Sequence, residues 1–110
     1  MTDDVKGKVG ETDDTLLLVS GSRGSKEDDK QYVKSLANAI LKVFSKHGEA
    51  KLRCVGAASL NNAIKAFIIA KGEAQKKGES LSIDPSFTTV KFKDQEKEKT
   101  GIVLEVLALE

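Results

Sequence analysis

At 110 residues, 39% hydrophobic and 32% charged, the chain can bury one modest core and is too short for two domains. Aromatics make up 5% and tryptophan is absent, so that core must be aliphatic; no run approaches the 18 apolar residues of a membrane span, and the N-terminal stretch MTDDVKGKVGETDD lacks the apolar segment of a signal peptide. Cys54 is the single cysteine, which excludes an internal disulfide and fits a reducing cytoplasm, and a net charge of +1 excludes the plainly basic class of nucleic-acid binder.

The charge is unevenly spread. Residues 1–14 set Lys6 and Lys8 against Asp3, Asp4, Glu11, Asp13 and Asp14, a net of −3, which leaves +4 on the rest (16 basic, 12 acidic). The organisation expected is an acidic tail over 1–14, disordered because it has almost nothing to bury, and a single mildly basic domain over 15–110.

TLLLVS (15–20) reads as a short buried strand that ends in the loop SGSRGS. From Lys26 the period becomes helical: Tyr32, Val33, Leu36, Ala37, Ile40, Leu41 and Phe44 form one apolar stripe. Glu27, Asp28 and Asp29 stand in its first turn, Lys42, Lys46 and His47 near its end, and Gly48 supplies the stop. AKLRCVG (50–56) alternates as a second strand, with Leu52 and Cys54 on one side and Lys51 and Arg53 on the other.

A second helix is expected from GAASLNNAIKAF (56–67) to about Lys77, with Leu60, Ala63, Ile64, Phe67, Ile68 and Ala74 on its buried face. Asn61 and Asn62 fall where caps occur, and Gly72 is expected to let the end fray beyond Ala70. LSIDPSFTTVKF (81–92) is a third strand. Its alternation slips by one residue between Phe87 and Val90, which predicts a bulge, and Pro85 favours that bulge or an edge. After the polar connection KDQEKEKTG, the continuous apolar run of GIVLEVLALE predicts a strand buried on both faces, by a helix layer and by a partner subunit. The order β-α-β-α-β-β predicts an α+β two-layer sandwich, two helices packed on a four-stranded mixed sheet.

Catalytic signatures are weak. SGSRGSK lies where phosphate loops lie but has neither the spacing nor the final Ser or Thr of G-x-x-x-x-G-K-[ST], and the acids that follow oppose a phosphate at that helix start. His47 sits at a helix end with no metal spacing, Cys54 reads as a small core residue, and too few ligands exist for a metal site. The chain therefore reads as a non-enzyme without a cofactor. The remaining chemistry is basic: Lys51 and Arg53 share one strand face, Lys91 and Lys93 another, and Lys97 and Lys99 lie across the hairpin.

CVGAASLNNAIKAFIIAKG (54–72) resembles the segment that follows the second strand in the stage V sporulation protein S family. LLLVS, DPSFTTVKF and TGIVLEV resemble other strands of that family, so the likeness spans most of residues 15–109. The family is similar in fold to the Alba chromatin proteins, which implies an Alba-like domain that binds DNA or RNA without sequence specificity as a homodimer or higher homo-oligomer. It implies a regulatory role in the cytoplasm, associated with the nucleoid, and no membrane partner. The contact positions it implies are Arg23 and Lys26 after the first strand, Asn61, Asn62 and Lys65 at the second helix, and Lys91, Lys93, Lys97 and Lys99 on the hairpin. The rival expectation is a non-catalytic homo-oligomeric scaffold that assembles through the last strand and a helix.

Overall fold

A computed structural model describes residues 13–22, 24–91 and 97–109. The chain runs β1 (Leu16–Leu18), α1 (Lys26–His47), β2 (Ala50–Cys54), α2 (Ala57–Lys76), β3 (Ser80–Lys91) and β4 (Glu98–Leu109). This is the α+β order expected, with two helices on a four-stranded mixed sheet.

Local chemistry explains where the first helix starts and stops. Ser25 is extended and its hydroxyl accepts from the Asp28 amide, while three acids in the first turn complement the helix dipole. At the other end Gly48 turns left-handed and its N–H returns to the Phe44 carbonyl.

The strands lie in the order β1-β2-β4-β3. β1 pairs parallel to β2, and β4 is antiparallel to both β2 and β3. Strands β1, β2 and β3 therefore point the same way, and each helix returns over one sheet face. Both helices consequently start at the end of the sheet where β1 and β2 finish. Their inner stripes cover Ala50, Leu52 and Cys54 of β2 and Leu104 and Val106 of β4, all buried. Helix α1 contributes Val33, Leu36, Ala37, Ile40 and Phe44, and α2 contributes Ala63, Ala66, Phe67, Ala70 and Ala74. The run of alanines lets α2 approach the sheet closely, while the larger α1 residues fill the remaining volume.

Four expectations need correction. β1 is a three-residue edge strand whose Leu18 is half exposed, because only β2 flanks it. β3 pairs with β4 without a break from Ser80↔Leu109 to Lys91↔Glu98, so the slip after Phe87 marks no bulge; the other option at Pro85, an edge strand, holds. Helix α2 continues through Gly72 to Lys76, since Ala70 and Ala74 on either side are packed in the core. Ile68 is 60% exposed, because its position on the helix points away from the sheet. On β4 the helix layer covers the face of Leu104 and Val106, as expected, while Leu107 and Leu109 on the other face are exposed in the single chain.

Asp13, which the sequence reading assigns to the tail, is tied into the sheet. Its carboxylate accepts from the Thr15 amide and hydroxyl, and from Lys51 Nζ at 3.1 Å. Those bonds, from Thr15 first, hold its pKa below the ordinary carboxylate value, and the carboxylate in turn raises that of Lys51.

Candidate nucleic-acid interface

Three segments meet at the end of the sheet where the helices begin: the loop after β1, the start of α2 and the base of the β3–β4 hairpin. The loop is held by three kinds of bond. The Val19 amide donates to the Arg53 carbonyl at 3.0 Å, the Ser20 amide donates to the Tyr32 hydroxyl at 2.8 Å, and Asn62 Nδ2 donates to the carbonyls of Ser20 and Gly21 at 3.1 and 2.9 Å. Asn62 is 5% exposed, so its amide acts as an internal tie between α2 and the loop.

That tie explains the small residues of GAAS. A Cβ built on Gly21 would stand 3.3 Å from Ala58 Cβ, so the loop backbone crosses directly over the first turn of α2. Gly56, the N-cap, adopts φ 94 and ψ 162, a region open essentially to glycine, and makes no side-chain cap bond. Neither Asn61 nor Asn62 caps the helix. Ser59, buried in the first turn, turns its hydroxyl back to the carbonyls of Val55 and Gly56 at 2.9 and 3.1 Å. Gly56, Ala57 and Ala58 remain exposed, and the first turn carries no acid. Among the described residues neither a capping side chain nor a first-turn acid answers the positive dipole end of this helix.

Beyond Ile102 the partner of β4 is β3 alone, so residues 88–91 and 98–101 form a two-stranded arm. Gly101 marks the point of departure: a Cβ there would lie 2.9 Å from the Cys54 carbonyl oxygen. Only glycine permits the arm to pass that close to the end of β2.

Lys26 and Lys65 face each other across a groove between α1 and α2, with Asn62 in the same lining. Asn61 is exposed on the first half of α2. Lys91, Lys97 and Lys99 are exposed at the arm, but the register sends Lys91 and Lys99 to opposite faces: Lys91 stands beside Glu98, and Lys99 beside Val90. Arg23 and Lys93 lie outside the described residues. Lys51 and Arg53 lie on the sheet face away from the helices; Lys51 is paired with Asp13, and burial lowers the pKa of Arg53.

Two features escaped the sequence reading. Phe87 is 81% exposed at the base of the arm, where the helix layer ends; its strand alternation made it look like a core residue. Lys30 and Lys34 join Lys26 along the groove, a position that their four-residue spacing already contained. Cys54 is buried and its thiol pKa is pushed up to about 11 by that burial, so it is unreactive near neutrality. Among the described residues no group of three or more His, Cys, Asp or Glu side chains could hold a metal ion, and no helix is long and apolar enough to cross a membrane.

The family model described as Stage V sporulation protein S (SpoVS) matches residues 28–109, which is 82 of the chain's 110 residues and takes in α1 from its first turn through the whole of β4. β1 and the loop after it lie ahead of the matched segment. The match covers well over half of the chain, and the chain belongs to the stage V sporulation protein S family.

Proposed function

We propose that this protein is a regulator that binds the phosphate backbone of DNA or RNA without reading its sequence and without catalysis. Membership in the family supports a sporulation-related regulatory protein. The observation that carries the nucleic-acid reading is the convergence at one sheet end of an uncapped, acid-free helix start, a Gly- and Ser-rich loop and a lysine-bearing arm.

In this mechanism the amides at Ala57 and Ala58 take one phosphate, and Lys26 and Lys65 take its neighbours along the groove. Lys91, Lys97 and Lys99 supply contacts along the arm, to which Arg23 and Lys93 add charge. Asn61 is in reach of the same backbone, whereas Asn62 positions the loop rather than touching the ligand. Splitting Lys91 and Lys99 between two faces of the arm suits an element that enters a groove and meets phosphates on both sides. The exposed Phe87 adds an apolar contact at the arm's base.

Self-association accompanies this reading. Leu18, Leu107 and Leu109 stay exposed on the sheet face away from the helices, and a second copy would cover them. The protein then works as a homodimer or higher homo-oligomer in the cytoplasm. The rival scaffold reading rests on the same apolar residues, with no nucleic acid.

Fluorescence anisotropy with a labelled 20-base-pair duplex and a single strand separates the two. The nucleic-acid reading expects binding at 50 mM salt that weakens steeply by 200 mM, as counterion release requires. Absence of binding at low salt, with or without residues 1–12, would sink it; an oligomer unchanged by charge reversal at Lys91 and Lys97 would then favour the scaffold.

A further inference from the structure

We propose that the groove between the first halves of α1 and α2 binds a small amphipathic anion, a free molecule with a phosphate or carboxylate head and an acyl or aryl body. The groove encloses about 600 Å³, within the range of small-molecule sites. Its rim carries Lys26, Lys30 and Lys34 from α1 and Lys65 from α2, against one carboxylate, Asp29, a local net of +3. Lys26, Lys30 and Lys34 repeat every fourth residue, so their amines follow one wall at about 6 Å intervals.

Among the described residues none of these four amines is held in an ion pair, as Lys51 is with Asp13 and Lys76 with Glu73, so the groove gathers four uncommitted amines on one rim. Between them the lining is buried Val33 from α1, Ile68 and Ile69 from α2, which are 60% and 39% exposed, and the buried amide of Asn62, which is committed to the loop carbonyls. Adjacent exposed isoleucines are a cost on a helix whose other face already fills the core. Aliphatic lysine stems extend the apolar wall while their charged heads stay in water.

The combination selects the ligand. Phosphate alone uses the amines and leaves the isoleucines in water. A symmetric second copy would set lysine against lysine, with too few acids to compensate. A lipid surface calls for protruding apolar side chains, and here they line a concavity. An anion with its own apolar body satisfies both sets of groups: head at the lysines, body against Ile68, Ile69 and Val33.

Calorimetry with n-dodecyl phosphate below its micelle concentration tests this without reference to nucleic acid, so it stands or falls separately from the reading above. The expected result is one saturable site per chain, absent for inorganic phosphate and for dodecyltrimethylammonium. Lys30→Glu with Lys34→Glu weakens it about tenfold or more, the scale of reversing two rim charges. Ile69→Gln also weakens it, and Lys71→Glu, outside the lining, does not. Both lysines are exposed, so the variants keep the fold, which a circular-dichroism melt verifies. In the unmodified protein, amide shifts confined to residues 26–34 and 62–69 give a mutation-free readout. No saturable binding, equal binding of the cationic amphiphile, or indifference to the double reversal overturns the proposal. So does co-sedimentation with phosphatidylglycerol vesicles in a protein that ignores monomeric dodecyl phosphate, which would assign the groove to a lipid surface.

Discussion

The two helix starts lie at the same end of the sheet and are built in opposite ways. α1 begins with Ser25, whose hydroxyl takes the Asp28 amide, and Glu27, Asp28 and Asp29 follow. α2 begins with Gly56, no side-chain cap and no acid in its first turn. The first start answers its own charge: Ser25 takes one orphan amide and three acids face the dipole. The second withholds that answer and gives up the stability a cap confers, about 1 kcal/mol. What holds α2 in place instead is tertiary: the loop tied down by Asn62 and the alanine face pressed on the sheet. A helix stabilised from behind can leave its front open, which is what an anion site requires.

The contrast can be broken most severely at Gly56. Gly56→Val forces a β-branched residue into φ 94, ψ 162 and is expected to cost about 1–3 kcal/mol, read as a lower urea midpoint at unchanged slope. Asn62→Ala removes both bonds to the loop and leaves two carbonyls without their donor, about 1–3 kcal/mol, with faster amide exchange across residues 19–22. Exposed Asn61→Ala should stay within about 0.5 kcal/mol. Ser25→Ala costs about 1 kcal/mol by uncapping α1, read as a lower urea midpoint. Under the proposed function, exposed Lys65→Gln leaves stability unchanged and lowers the salt slope of binding by about 1.

The smallest effect belongs to pH. Asp13 has its pKa lowered by Thr15 and Lys51, so the stability it contributes is present above its unfolded value of 3.8 and is lost as pH falls through the lower folded value. An acid titration of Asp13→Asn should therefore converge on that of the unmodified protein at the lowest pH. Both groups of the pair are partly exposed, so the difference above pH 4 is small.

Most of the fold was legible because its signals are local and reinforce one another. The stripe from Val33 to Phe44, closed by Gly48, and the alternation of Ala50, Leu52 and Cys54 each have one reading, and their order leaves few topologies. Errors arose where burial depends on what lies across the sheet. Phe87 alternates correctly with Leu81 and Ile83, but the helix layer stops short of it; nothing local to residue 87 records that. Ile68 reads as buried because it continues the apolar spacing of Ile64, yet the alanine face of α2 is the one turned to the sheet. The candidate site's basic residues can be named from sequence, but the architecture that places them cannot. Asn62 looked like a cap or a contact, and only its partner 42 positions earlier reveals a tie. The glycines at 21 and 101 were anonymous until the backbones they let pass, the first turn of α2 and the end of β2, were in view.

The difference between the two helix starts is most directly tested by mapping amide chemical shifts while a short duplex is titrated in at low salt. The account predicts shifts at Gly56, Ala57 and Ala58, at residues 20–22 and along the arm from Thr88 to Lys91 and Lys97 to Gly101, with Glu27 and Asp28 at the start of α1 unmoved. Shifts centred on Lys51, Arg53 and Glu105 of the open sheet face, or equal shifts at both helix starts, would contradict it.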